Sequence, residues 1–181
     1  DWATFKVRDV DMGKDLPDTL TRIKFSSIAW RKDGSGFFYS RFPEDTEEKG
    51  DDNQAVSHQL YFHALGTSQA DDKLIFAHPE LKGVILGSSV SHDDAYLILY
   101  VSGDSFAFNR LYYRPMASDG DFVRLFDVLD AEYQFIGNDD TTFYILTSKN
   151  SPNKRLVAID IQNPDVWRDV IAEAGDVIEG I

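Results

Sequence analysis

The sequence contains no cysteine, which excludes disulfides and thiolate metal sites. Basic residues are few beside acidic ones, 18 Lys and Arg against 31 Asp and Glu, for a net charge of −13. No Lys/Arg block interrupts that acidic field. It repels phosphate backbones, so no nucleic-acid partner is expected. Solubility accounts for the acid excess. No apolar run approaches the roughly 20 residues of a membrane helix, and no membrane partner is expected. No signal-peptide pattern opens the chain; Asp1-Trp2-Ala3-Thr4 reads as the interior of a domain. Helical periodicity is scarce. Its best stretch, Trp167 to Ala174, also fits a strand followed by a loop.

What the sequence has in quantity is aromatic residues, 13 Phe, 8 Tyr and 3 Trp in 181 positions. Phe and Tyr suit pleated, half-buried surfaces. Phe5 to Val10 alternates apolar and polar side chains. Gly36 to Phe42 and Tyr96 to Val101 are short apolar runs bounded by turn residues, which predicts strands. Asp33-Gly34 and Asp119-Gly120 are tight-turn pairs; His92-Asp93-Asp94 and Asn138-Asp139-Asp140 resemble them without the glycine. The polar stretch Pro43 to Ser57 reads as a solvated hairpin loop, since its acids lack the spacing of a calcium loop.

These pieces repeat. Ser27 to Gly34, Ser89 to Asp94 and Gln134 to Asp140 each run a short strand into an acidic turn. Each is followed by an apolar strand: Phe37 to Phe42, Tyr96 to Val101, Thr142 to Thr147. A third element follows, Gln59-Leu60-Tyr61, Arg110-Leu111-Tyr112 and Arg155-Leu156-Val157, whose leucines stand 51 and then 45 residues apart. A fourth closes each unit at Leu74 to Phe76, Val123 to Phe126 and near Val166 to Ile171. Four strands per repeat of this length is the pattern of a propeller blade. The expected fold is all-β, an antiparallel β-propeller fragment of about three four-stranded blades plus flanking strands. Residues 1–25 would end one blade, 26–81, 85–128 and 132–172 would form successive blades, and 173–181 would start the next. A β-sandwich or irregular β-solenoid is the alternative; a sandwich also gives many short strands but need not repeat their order this way.

Residues that carry chemistry are not arranged for it. A nucleophile elbow needs Gly-x-Ser-x-Gly between a strand and a helix. Gly103-Asp104-Ser105-Phe106-Ala107 comes nearest, but it joins two strands of a hairpin. His92 reads as a surface turn residue. His58 and His63 are five apart around a strand and point to opposite faces, against a shared metal. No metal or phosphate-loop spacing occurs, so no catalytic residue, metal or cofactor is expected. Phe25 stands just before the innermost strand of a blade, where either inter-blade core or the channel mouth would place it.

Lys24-Phe25-Ser26-Ser27-Ile28-Ala29-Trp30, followed by Asp33-Gly34-x-Gly36-Phe37-Phe38-Tyr39, closely resembles the propeller domain of prolyl oligopeptidases. Gly13-Lys14-x-Leu16-Pro17-Asp18, His58 to Thr67, Asn109 to Tyr113 and Ser151 to Leu156 agree in order and spacing. The resemblance implies a serine peptidase that cleaves short peptides after proline. Its propeller caps an α/β-hydrolase domain that carries the triad, and it excludes large folded proteins. This chain by itself lacks the triad. The resemblance further implies as partners that hydrolase domain, the remaining blades and short proline-containing peptides. Its implied location is the cytoplasm or, as in some members, the periplasm. Self-association through exposed blade edges is also expected. Phe25 matches a family phenylalanine of an apolar substrate subsite, with inter-blade core as the other reading. Ile85 stands where the family has a pocket methionine. Ser105 falls near a pocket cysteine of some members, a contact this sequence would lack. A stand-alone propeller that binds a protein partner is the rival reading, because fold alone does not fix function.

Overall fold

The computed structural model describes residues 2–43, 57–103 and 107–180. Among these, every regular element except one 3-10 turn at Gln69–Asp71 is a strand. A hairpin of β1 (Ala3–Asp9) and β2 (Lys14–Ile23) comes first. A sheet in the order β3-β4-β5-β6 follows, from Ile28–Trp30, Gly36–Arg41, Gln59–Ala64 and Lys73–Ala77. The next is ordered β10-β9-β8-β7, with β7 Ile85–Val90, β8 Tyr96–Ser102, β9 Asn109–Pro115 and β10 Val123–Phe126. The last runs β11-β12-β13-β14, from Tyr133–Asp139, Thr142–Thr147, Arg155–Asp160 and Trp167–Ile171. Three four-stranded antiparallel meanders and a flanking hairpin are the β-propeller pattern read from the repeats. The stretch with residual helical periodicity, Trp167 to Ala174, opens as the strand β14.

The chain divides into two compact units, Asp1–Ser89 and Val90–Ile181. In the first, Leu20, Ile23, Phe37 and Tyr39 form a fully buried cluster, with Phe5, Val7, Tyr61 and Leu65 packed on it. Leu20 and Ile23 come from the hairpin and Phe37 and Tyr39 from β4, so this core joins the hairpin to its neighbouring sheet. In the second, Phe143 is the hub. Its ring meets Tyr96, Tyr113 and Phe135 edge-on at centroid distances of 4.9, 5.2 and 5.0 Å, the arrangement that ring quadrupoles favour.

Burial explains the two kinds of strand in the sequence. Every residue of β4 is buried, and β8 and β12 bury most of theirs. Strands covered on both faces become continuous apolar runs. The last strand of each sheet is open, most of all β14. The second strand of the hairpin, β2, is ten residues long and begins at Lys14. Its pairing slips between Lys6↔Thr19 and Arg8↔Asp15, around Pro17, which has no N–H to give a ladder.

The three acidic turns share one backbone feature. Gly34, Asp94 and Asp140 have φ of 69°, 59° and 48°. Glycine reaches this region without strain, and Asp and Asn reach it more readily than other side chains. Local bonds hold the first two turns: Ser35 N–H and hydroxyl donate to Asp33 Oδ1 at 2.9 and 2.6 Å. At the second turn, Ser91 Oγ and Ala95 N–H donate to Asp93 Oδ1 at 2.6 and 3.0 Å. Asn109 supplies a different link. Its side chain donates to Tyr133 O and accepts from Tyr133 N–H, both at 3.0 Å, pairing with the backbone as a strand would.

Candidate functional site

The end of β2 and the segment leading on to β3 are unusual. Arg22 and Phe25 both have positive φ, 62° and 57°. For a bulky aromatic residue this region is a genuine outlier and costs on the order of 1–3 kcal/mol. Neighbouring bonds hold the distortion. Arg22 O accepts from Phe42 N–H at 3.3 Å, and the Arg22 guanidinium donates to Pro43 O at 3.1 Å. Ser26 Oγ accepts from Ser40 N–H at 2.9 Å.

The Phe25 ring that results is 61% exposed, with Lys24 Nζ 5.1 Å from its centroid. Phe25 thus lies outside the buried core cluster of its unit. Ile85, half-buried, opens β7. Both residues belong to the first unit. Ser105 and most of the acidic loop, residues 44–56, lie outside the described residues.

Two histidines in this unit are fully buried, and sequence spacing flagged neither role. His58 precedes β5. Its ring packs edge-on against Phe42 at 4.3 Å, and its Nδ1 accepts from Leu86 N–H at 3.4 Å. Burial lowers its pKa to about 4, against the opposing pull of the Leu86 and Lys24 backbones, so the ring is neutral at pH 7.

His63 lies on β5 between two carboxylates. Its Nε2 is 2.9 Å from Asp18 Oδ1 and its Nδ1 2.7 Å from Asp72 Oδ1, with all three side chains fully buried. Each ring nitrogen thus faces a carboxylate oxygen within hydrogen-bond distance. Tyr39 OH donates to Asp72 Oδ2 at 2.6 Å, and Gly66 N–H to Asp18 Oδ1 at 2.6 Å. No nucleophile joins this cluster among the described residues, and burial shuts it off from a substrate, so its work is structural. Asp18 and His63 are 45 residues apart, and no local pattern links them.

Asp18 makes the cluster sensitive to acid. Burial alone would raise its carboxyl, but the Gly66 N–H and His63 outweigh burial and hold it below the ordinary carboxylate range. A folded pKa below the unfolded one contributes stability that is complete above the unfolded value, near pH 4, and lost as pH falls through the folded value. Urea midpoints are therefore expected to drop progressively between about pH 5 and pH 2, with a flatter acid limb in Asp18→Asn. Parallel limbs for the two proteins would exclude Asp18 as the source.

All 181 residues match the family model of the prolyl oligopeptidase N-terminal β-propeller domain. The chain belongs to the prolyl oligopeptidase family. It is 35% identical over 181 residues to a prolyl endopeptidase of Elizabethkingia meningoseptica, covering 99% of this chain and 25% of the relative. With prolyl oligopeptidase A of Amanita bisporigera it shares 34% identity over 171 residues, covering 87% and 22%. Among solved structures, prolyl oligopeptidase B of Galerina marginata bound to a 25-mer macrocyclization substrate superposes with a TM-score of 0.84. The identity there is 29%, over 97% of this chain and 27% of that one. The chain thus spans about a quarter of the length of the prolyl oligopeptidases it matches.

Proposed function

We propose that this chain is the non-catalytic propeller segment of a serine peptidase that cleaves short peptides after proline. The segment caps the active site, filters substrates by size, and offers Phe25 and Ile85 to an apolar part of the peptide. Its partners are the remaining blades, the catalytic domain and the peptide. Membership of the prolyl oligopeptidase family supports the reaction class. The observation that carries the contact role is Phe25 itself, a large apolar residue left 61% exposed on a strained but well-bonded backbone. Strain of this kind persists where surrounding structure enforces it, and such sites cluster at ligand contacts. Size filtering follows from a cap that admits only what passes it.

The test is kinetic. In the full-length peptidase, Phe25→Ala is expected to raise KM for short proline-containing peptides about tenfold, equivalent to about 1.4 kcal/mol of apolar contact. The value of kcat should stay within a factor of about two, because uniform binding is lost and the chemistry is untouched. An unchanged KM would remove Phe25 from the subsite. Unhindered cleavage of large folded proteins at exposed prolines would end the filtering role.

A further inference from the structure

His58 grips the chain on both sides of Ile85. Its backbone N–H donates to Val84 O at 2.9 Å, and its side-chain Nδ1 accepts from Leu86 N–H at 3.4 Å. One residue thus fixes the peptide groups that flank Ile85. Ser40 Oγ adds a bond to Leu86 O at 2.7 Å. The same Ser40 gives its N–H to Ser26 Oγ at 2.9 Å, beside Phe25. Ser27 Oγ accepts from Ser88 N–H at 3.5 Å and ties the two segments again. His58 and Ser40 are buried, so neither can touch a peptide.

We infer that His58, with Ser40, is a positioning residue that sets Ile85 and Phe25 in one fixed arrangement for the peptide. This rests on the reading of Phe25 and Ile85 as substrate contacts. A neutral imidazole suits the task, because accepting from Leu86 N–H requires an Nδ1 free of its proton. Its burial and the edge-on Phe42 ring fix its orientation. Without the acceptor, the Leu86 N–H is left buried and unpaired, and the start of β7 shifts to find another partner.

The test uses the full-length peptidase with short proline-containing peptides. His58→Leu is expected to raise KM three- to tenfold, as Ile85→Ala does, with kcat within about twofold. His58→Asn, whose Oδ1 can stand where Nδ1 accepts, should return KM to within about twofold of the parent. Hydrogen exchange at the Leu86 amide should quicken in His58→Leu and recover in His58→Asn, which a loss of general stability alone would not produce. Should His58→Leu fail to fold, Ser40→Ala decides, with the same rise in KM expected. If Ile85→Ala raises KM while His58→Leu, or Ser40→Ala in its place, leaves it unchanged, the positioning role is overturned and the subsite reading stands. If Phe25→Ala and Ile85→Ala both leave KM unchanged, both readings fall.

Discussion

His63→Leu is expected to destabilise the first unit by about 3–5 kcal/mol, the usual cost of removing one partner from a buried charged pair. The ring stands between Asp18 and Asp72, and all three side chains are fully buried. Leucine fills much of the space but leaves two carboxylates facing each other across apolar volume. Gly66 N–H and Tyr39 OH still serve them, which limits the loss without cancelling it. The damage spans the unit, since Asp18 lies on β2, His63 on β5, and Asp72 immediately before β6. Urea unfolding at pH 7 measures it, and a loss below about 1 kcal/mol would show that the cluster is not held by charge. Replacing all three residues with apolar ones of similar volume should restore most of the stability, because a buried ionic cluster and a packed apolar one are often close in free energy.

Gly36→Ala should cost about 2–3 kcal/mol or more. A Cβ there would stand 2.2 Å from His63 O, 2.7 Å from Phe62 Cζ and 3.1 Å from Ala64 Cα. The Phe62 ring could swing aside. The His63 carbonyl could not, because it belongs to β5, which is paired with β4 at this point. Relief would require the two strands to part beside the Asp18–His63–Asp72 cluster. Gly137→Ala is the contrast. Its Cβ would meet nothing within 4 Å and its φ is not in the left-handed region, so a change within about 0.5 kcal/mol is expected. Thermal unfolding of the two variants side by side measures the difference, and equal midpoints would refute the steric account.

The sequence disclosed the parts of the fold that are local. Apolar runs such as Tyr96 to Val101, acidic turns and the recurring Leu60, Leu111 and Leu156 announce strands and their order, because side-chain periodicity and turn chemistry act over a few residues. Long-range matters were not written there. Pro17 hints at an irregular strand, but where β1 and β2 slip depends on which partner has spare donors. His58 and His63 read as unremarkable histidines, since their partners stand 28, 45 and 9 residues away. Phe25 stood out by its place before an innermost strand, and its role as a substrate contact came only through the family likeness. Nothing in Lys24-Phe25-Ser26 says that its backbone will be left-handed, or that the ring will face outward.

The three turns at Gly34, Asp94 and Asp140 bear on how such a chain ages. One backbone shape is met by glycine in the first sheet and by aspartate in the other two. The shape constrains φ, and more than one residue type satisfies it. Copies of a blade can therefore drift apart in spelling while their geometry stays in step. Similarity between repeats decays fastest where several residue types do the same job. It lasts longest where only one will fit, as at Gly36, whose missing side chain lets two backbones touch.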